Sequence, residues 1–153
     1  YAKVLSDKNS PFLKSIIINK GSNHGINLGA VIKDKEYLVG KIVEVNYTTS
    51  RVLLLSDINS KIPVLIEPQG TLSILSGSGS NDGVIQYSKN ESIIDNNSII
   101  YTSGVGSLFK AGIPIGKIKK NNEKSLHGKV KFFSDFSQLK FVEILSFKKK
   151  GIK

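Results

Sequence analysis

The chain has 153 residues, of which 39% are hydrophobic and 22% charged, and this balance is typical of a folded globular protein rather than a disordered one. The formal net charge is +10, and Arg51 is the only arginine among 22 basic residues. The apolar runs are much shorter than the roughly 18 residues that a membrane-spanning helix needs, which excludes such a helix.

Short β-branched segments bounded by turn residues predict an all-β protein with almost no helix. In chain order, the predicted strands are residues 2–5, 16–19, 30–33, 38–46, 51–55, 62–67, 72–75, 84–87, 98–102, 115–119, 129–133 and 141–147. Residues 51–55 are apolar on both faces, which predicts a strand that is central or covered by a neighbouring barrel. Pro63 cannot donate a ladder hydrogen bond, so its strand is expected to lie at an edge or to begin there.

A proline and a glycine near residues 68–70 divide the predicted strands into two sets of six, which favours two small closed barrels. We expect residues 1–68 to form the first barrel, residues 69–147 the second, and residues 148–153 a disordered basic tail. Whether the last strand returns to the first barrel stays open. One helical turn is expected at residues 134–139, with Ser134 as its N-cap.

A glycine-rich loop that leads into a strand built around Gly-Lys-Ile occurs twice. Glycine adopts positive φ at no steric cost, so these residues are expected to set the loop shape, and proline would stiffen the start of the second strand. The repeat indicates scaffolding more than chemistry, because no reactive side chain recurs with it. The residues of this motif are Gly21, Gly25, Gly29, Gly40, Gly104, Gly112, Pro114 and Gly116.

Catalytic and metal-binding patterns are weak. His24, Asp57 and Ser103 follow the chain order of one serine-protease triad, but Ser103 lacks a Gly-x-Ser-x-Gly elbow. The two histidines, His24 and His127, are far apart, and no cysteine is present to complete a zinc site. Residues 76–83 are rich in glycine but lack the lysine and the helix of a phosphate-binding loop. The chain is therefore predicted to be no enzyme and to hold no metal or cofactor.

Binding to another protein is the favoured function class. Leu108 and Phe109 lie in the second glycine loop, and Tyr37 and Leu38 lie at a predicted hairpin tip. Exposed apolar residues in such places commonly anchor partners. The alternative is a basic β-barrel that binds single-stranded nucleic acid, in which tyrosine and phenylalanine rings stack on bases. The single arginine argues against this alternative.

Several ordered motifs resemble the extracytoplasmic domain of the MreC family of rod shape-determining proteins. They are residues 19–26, 39–42, 51–57, 62–64, 102–104 and, as the most similar segment, 109–118. The resemblance covers nearly the whole chain, from Val4 to Phe147. The chain has Lys110 where the family usually has proline and Ser107 where it often has glycine. Both departures lie in a loop, so they leave the fold unaffected.

This resemblance implies two six-stranded barrels similar to the double barrel of trypsin, but without its catalytic triad. It also implies a non-catalytic periplasmic scaffold of the bacterial cell-elongation machinery. The implied partners are a class B penicillin-binding transpeptidase, MreD and the MreB system, together with further copies of the same chain. Because the chain begins at Tyr1 and contains no methionine, we expect it to be a trimmed piece. The N-terminal helix that anchors the family in the inner membrane would then be absent, and membrane contact would occur only through it.

Overall fold

The computed structural model describes residues 1–5, 12, 14–68, 70–85, 97–104, 111–119 and 128–145. The second glycine loop with Leu108 and Phe109, His127 and the basic tail at 148–153 lie outside these ranges. The strands are β1 (Ala2–Leu5), β2 (Ser15–Ile18), β3 (Val31–Asp34), β4 (Tyr37–Val45), β5 (Ser50–Leu54), β6 (Lys61–Glu67), β7 (Thr71–Gly77), β8 (Gly83–Ile85), β9 (Ile99–Thr102), β10 (Pro114–Lys119), β11 (Lys129–Phe132) and β12 (Phe141–Leu145). Short 3-10 helices occur at Ser22–His24 and Phe136–Gln138. In the described ranges, no helix has the length and hydrophobicity that crossing a membrane requires.

The strands form two closed, antiparallel, six-stranded barrels, which confirms the predicted fold class. The order around the first barrel is β1-β12-β3-β4-β5-β2, and the order around the second is β10-β11-β8-β7-β6-β9. If β12 is counted as the first strand of its barrel, the two barrels have the same strand order. The molecule is therefore built from two copies of one topology.

The strand pairing divides the chain differently from the predicted cut at residue 68. Strand β6 pairs with β7 and β9 in the second barrel, and β12 pairs with β1 and β3 in the first. Pro68 and Gly70 therefore do not separate the barrels. They belong to the hairpin between β6 and β7, in which the Gly70 N–H donates to the Ile66 carbonyl at 2.8 Å. The predicted boundary is wrong because this hairpin has the composition of a linker.

The two Gly-Lys-Ile strands occupy equivalent positions, whereas the two glycine loops do not. Gly40 of β4 pairs with a residue of β3 and one of β5, and Gly116 of β10 pairs with residues of β9 and β11 in the same arrangement. The first glycine loop precedes β3, but the second joins β9 to β10. The two Gly-Lys-Ile segments are therefore equivalent strands of the two barrels. The two glycine loops resemble each other in sequence but connect different strands.

Side chains alternate between the core and the surface along β6. Ile62, Val64 and Ile66 are buried, and Pro63 and Leu65 point outward, as the period of two predicts. Of the two alternatives for Pro63, the edge position is wrong, because β6 is paired on both sides, whereas a place near the start of the strand agrees with the structure. The pairing of β6 with β9 begins at Val64, so Pro63 faces only β7 and its missing N–H interrupts no bond to β9.

The two barrels share part of their apolar core. Val31, Leu38 and Leu55 come from the first half of the chain, yet they pack in the cluster that fills the second barrel. All residues of β5 are buried, and Leu55 directly after it faces the second barrel, which confirms the prediction that 51–55 is covered on both sides. Phe136 packs against the cores of both barrels. This shared packing fixes the position of one barrel against the other.

The 3-10 turn at Phe136–Gln138 lies between the barrels, close to its predicted place. Its N-cap is Asp135 rather than Ser134, because the Asp135 carboxylate accepts from the Ser137 N–H at 3.0 Å. Ser134 instead donates its hydroxyl to Asp34 Oδ2 at 2.8 Å and so links the turn to the β3–β4 hairpin. Hydrogen bonds from the Ser137 hydroxyl and then its backbone N–H hold the pKa of Asp135 below its usual value.

Candidate partner-binding surfaces

The structure places the sequence-predicted anchor residues in different environments. Leu38 is 0% exposed within the shared core, so the prediction that it is exposed is wrong. Tyr37 is half-buried, and its ring lies 5.1 Å from the ring of Phe133, centroid to centroid. Tyr37 thus packs against the end of β11, while Lys35 and Glu36 at the tip of the hairpin are exposed. Leu108 and Phe109 lie outside the described residues.

Two residues of the weak triad pattern, Asp57 and His24, have structural roles. Asp57 is fully buried, and its carboxylate accepts from the Lys14 N–H at 2.7 Å and from the Asn59 N–H at 2.8 Å. The Nδ1 atom of His24 accepts from the Gly21 N–H at 3.3 Å within an exposed 3-10 turn. Asp57 therefore ties a turn to the segment before β2. No cluster of three or more metal-ligating side chains occurs in the described part of the chain.

The glycines of the repeated motif fall into two groups. One group has positive φ, at 76°, 84°, 76° and 87°, in Gly25, Gly29, Gly104 and Gly112 respectively. The other group has no room for a side chain, because a Cβ atom would meet backbone atoms of another segment; it comprises Gly21, Gly40 and Gly116. Pro114 begins β10. The first group shapes turns, and the second allows strands and loops to approach closely.

An apolar surface covers part of the outside of the second barrel. Leu72 and Ile74 of β7 are 59% and 41% exposed and lie directly opposite outward residues of β6. The row continues to Tyr101 of β9, which pairs with Leu65. We define the apolar face as Pro63, Leu65, Leu72, Ile74 and Tyr101. Contiguous exposed apolar residues on the outside of a folded domain indicate a contact surface.

A basic surface lies beside it on β10 and β11. Lys117 is directly opposite Lys131, and Lys119 is directly opposite Lys129. We define the lysine face as these four residues. The described carboxylates form no salt bridge with any of them. In the first barrel, by contrast, Arg51 lies opposite Glu44, and their charged groups are 3.3 Å apart.

Substituting Lys119→Glu is expected to raise the free energy of unfolding by about 0.5–1 kcal/mol, because it replaces a like-charge cross-strand pair with an attractive one. Urea unfolding at low salt measures the change, and high salt should reduce it. Lys61→Glu is the matched control, because Lys61 faces Ser76 rather than a charge. A gain of the same size in the control would show that only net charge matters.

A cleft of about 440 Å³ opens where the two barrels meet. Its lining includes Lys14 and Leu54 from the first barrel, Lys131 and Phe133 from the second, and Asp135 from the turn between them. Serine and asparagine side chains complete the described lining, so charged, hydroxyl and apolar groups meet in one concavity. Ligand-binding clefts commonly combine such groups.

Comparison with known proteins identifies the family. The family model for the barrel core of the rod shape-determining protein MreC matches residues 4–146. The chain belongs to the MreC family. The MreC protein of Cereibacter sphaeroides is 34% identical over 93% of this chain, and that of Caulobacter vibrioides is 34% identical over 96%. The chain spans 47% and 42% of the length of these two relatives, so it corresponds to about half of each.

Solved MreC structures share the double barrel. MreC from Pseudomonas aeruginosa matches with a TM-score of 0.83 and 28% identity, covering 95% of this chain and 97% of that one. Two structures below 25% identity show the fold alone. One is the major periplasmic domain of the cell shape-determining filament MreC (TM-score 0.81, 21% identity, 96% of each chain). The other is a chain from a complex between penicillin-binding protein PBP2 and MreC of Helicobacter pylori (TM-score 0.66, 15% identity, 87% and 85%).

Proposed function

We propose that the chain is the barrel region of a non-catalytic periplasmic scaffold that maintains rod shape by binding a class B penicillin-binding transpeptidase. Membership of the MreC family over residues 4–146 is the observation that carries this proposal. The solved complex of an MreC with PBP2 supports the choice of partner, and the periplasmic MreC domain with the same fold supports the location.

The construction of the double barrel suits a scaffold. Leu38 and Leu55 hold the two barrels in one arrangement through the shared core, and Ser134 adds a hydrogen bond to Asp34 across the junction. A surface presented on such a unit is ordered before its partner arrives, so less conformational entropy is lost on binding. We place the transpeptidase contact on the apolar face, whose Leu72 and Ile74 are exposed on a rigid strand.

The wider assembly belongs to the same proposal. Self-association, contacts with MreD and the MreB system, and anchoring to the inner membrane are inferred from the family alone. These properties belong to relatives about twice as long as this chain, and the barrel region alone need not account for all of them. Among these interactions, binding of the transpeptidase can be measured directly with the barrel region.

The double variant Leu72→Thr/Ile74→Thr is expected to weaken binding of the transpeptidase's periplasmic region about tenfold, which corresponds to about 1.4 kcal/mol of lost apolar burial. Threonine keeps the β-branched shape that a strand favours, so the fold should be retained. Biolayer interferometry measures the affinity, and thermal unfolding checks the fold.

The control is Leu28→Thr/Ile58→Thr, which removes two exposed aliphatic side chains from the first barrel and from the turn after β5. Its affinity should equal that of the wild type. Equal affinities for the wild type and both double variants would show that the apolar face is not part of the interface. A wild-type chain that does not bind the transpeptidase at all would contradict the proposed partner.

A further inference from the structure

The lysine face carries four positive charges and has only one carboxylate beside it in the described cavities of β11, that of Asp82, apart from Asp135 in the cleft. Its two cross-strand pairs, Lys117 with Lys131 and Lys119 with Lys129, place four cations side by side. Side chains directly opposite each other have Cβ atoms about 5 Å apart, so like charges there oppose folding. Within the described part of the chain, no carboxylate forms an ion pair with them. An anion from outside the chain would compensate these charges.

The lysine face is also joined to the cleft between the barrels. Lys131 lines the cleft of about 440 Å³ and two shallower cavities, of about 300 and 210 Å³, beside β11. Lys117 and Lys119 line the cavity of about 300 Å³. Lys119, Lys129 and the carboxylate of Asp82 line the cavity of about 210 Å³. Lys14 extends the positive charge to the first barrel's side of the cleft. The three concave regions share Lys131 of β11, and we refer to them together as the groove.

We propose that this groove binds an extended acidic polypeptide segment of a partner protein. Along each strand the lysines are two residues apart, or about 6.7 Å, and carboxylates on one face of an extended peptide have the same spacing. A concave groove admits a chain, whereas a flat bilayer surface cannot enter it. The groove lies on β10, β11 and the barrel junction, away from β7, and the proposal does not depend on the transpeptidase contact.

The aromatic side chains of the groove favour a peptide over a nucleic acid. The ring of Phe132 stacks on that of Phe136 at 5.0 Å, and Phe133 packs on Tyr37 at 5.1 Å. Phe132 is buried under the ring of Phe136, and the tilted ring of Tyr37 covers part of Phe133, which stays 36% exposed. Base stacking on single-stranded nucleic acid requires open aromatic faces. The lysine side chains of the groove are therefore more accessible to a ligand than its aromatic rings.

The charge of Asp135 allows a test of the proposal, because its removal should change the affinity for an acidic ligand in a known direction. Asp135 lines the cleft and, as an exposed aspartate whose pKa is lowered by hydrogen bonds from Ser137, is charged at neutral pH. Its negative charge repels an acidic ligand. Asp135→Asn removes the charge and retains a good N-cap residue, so it should strengthen binding of an acidic peptide about twofold.

The experiment uses a labelled peptide of alternating glutamate and threonine residues and measures its fluorescence anisotropy at low salt. Replacing the four residues of the lysine face with glutamine should weaken binding about tenfold. The matched control replaces four lysines outside the groove with glutamine: Lys3, Lys20, Lys61 and Lys140. It loses the same net charge and should weaken binding less than about threefold. Removal of like-charge repulsion should not lower the melting temperature of the first variant.

Several outcomes would overturn the proposal. Equal weakening in both quadruple variants would mean that only net charge attracts the peptide. Binding of phosphatidylglycerol vesicles or of oligo(dT) through the lysine face, without binding of the peptide, would assign the surface to another ligand. The Leu72→Thr/Ile74→Thr variant should keep its affinity for the peptide, so failure of the transpeptidase contact and failure of the groove are distinguishable.

Discussion

Substituting Gly116→Ala should lower the free energy of unfolding by about 3 kcal/mol, with a larger loss for valine. A Cβ atom at this position would overlap the Lys131 carbonyl oxygen and lie 2.9 Å from the Val130 Cγ1 atom. The carbonyl belongs to the neighbouring strand β11, so relief requires β10 and β11 to move apart. Overpacking of this kind costs about 1–3 kcal/mol or more. Equilibrium urea unfolding measures the loss.

Gly112→Ala is the appropriate control for this prediction. Gly112 has a φ of 87°, but a Cβ atom there would meet no other atom within 4 Å. Its substitution carries the backbone cost alone, about 1–2 kcal/mol. If Gly116→Ala costs no more than Gly112→Ala, the close approach of β10 and β11 is not what requires glycine. Gly40 occupies the equivalent position in the first barrel, and its substitution should behave like that of Gly116.

The second large effect is expected at the junction of the barrels. Leu38→Ala should destabilise the chain by about 3 kcal/mol, because it leaves a cavity in the shared core where Leu38 is fully buried. Thermal and urea unfolding both report this loss. The affinity of the folded variant for the transpeptidase should be unchanged, since the side chain reaches no surface.

Leu28→Ala serves as the comparison for Leu38→Ala, because the side chain removed is the same and Leu28 is 68% exposed. Its free energy of unfolding should change by less than about 0.5 kcal/mol. A Leu38→Ala protein of normal stability that binds its partner weakly would restore the original sequence-based interpretation of Leu38 as an anchor.

Local patterns were sufficient to predict the strands and their number. The alternation of Ile62, Val64 and Ile66 with outward residues is a short-range signal, and it places their strand correctly. The return of β12 to the first barrel depends on pairs such as Ala2 with Val142, at a sequence separation that no local pattern encodes. The boundary predicted at Pro68 is a hairpin in the structure, and composition cannot distinguish the two because hairpins and linkers share the same residue types.

The candidate surfaces were harder to predict than the fold. Burial of Leu38 follows from the docking of a hairpin tip on the other barrel, and exposure of Leu72 follows from which face of β7 points outward. The lysine face depends on the register of β10 against β11, since a slip of one residue would remove both like-charge pairs. Composition shows the excess of lysine but not this arrangement.

The return of β12 also affects the order in which the barrels are completed during synthesis. All strands of the second barrel lie between residues 61 and 132, so its sheet can close before β12 is available. The first barrel needs β12, at Phe141–Leu145, and stays an open sheet with unpaired edges until then. Domains usually complete their folds in order from the N-terminus. In this chain the barrel whose first strands are translated earliest is completed last.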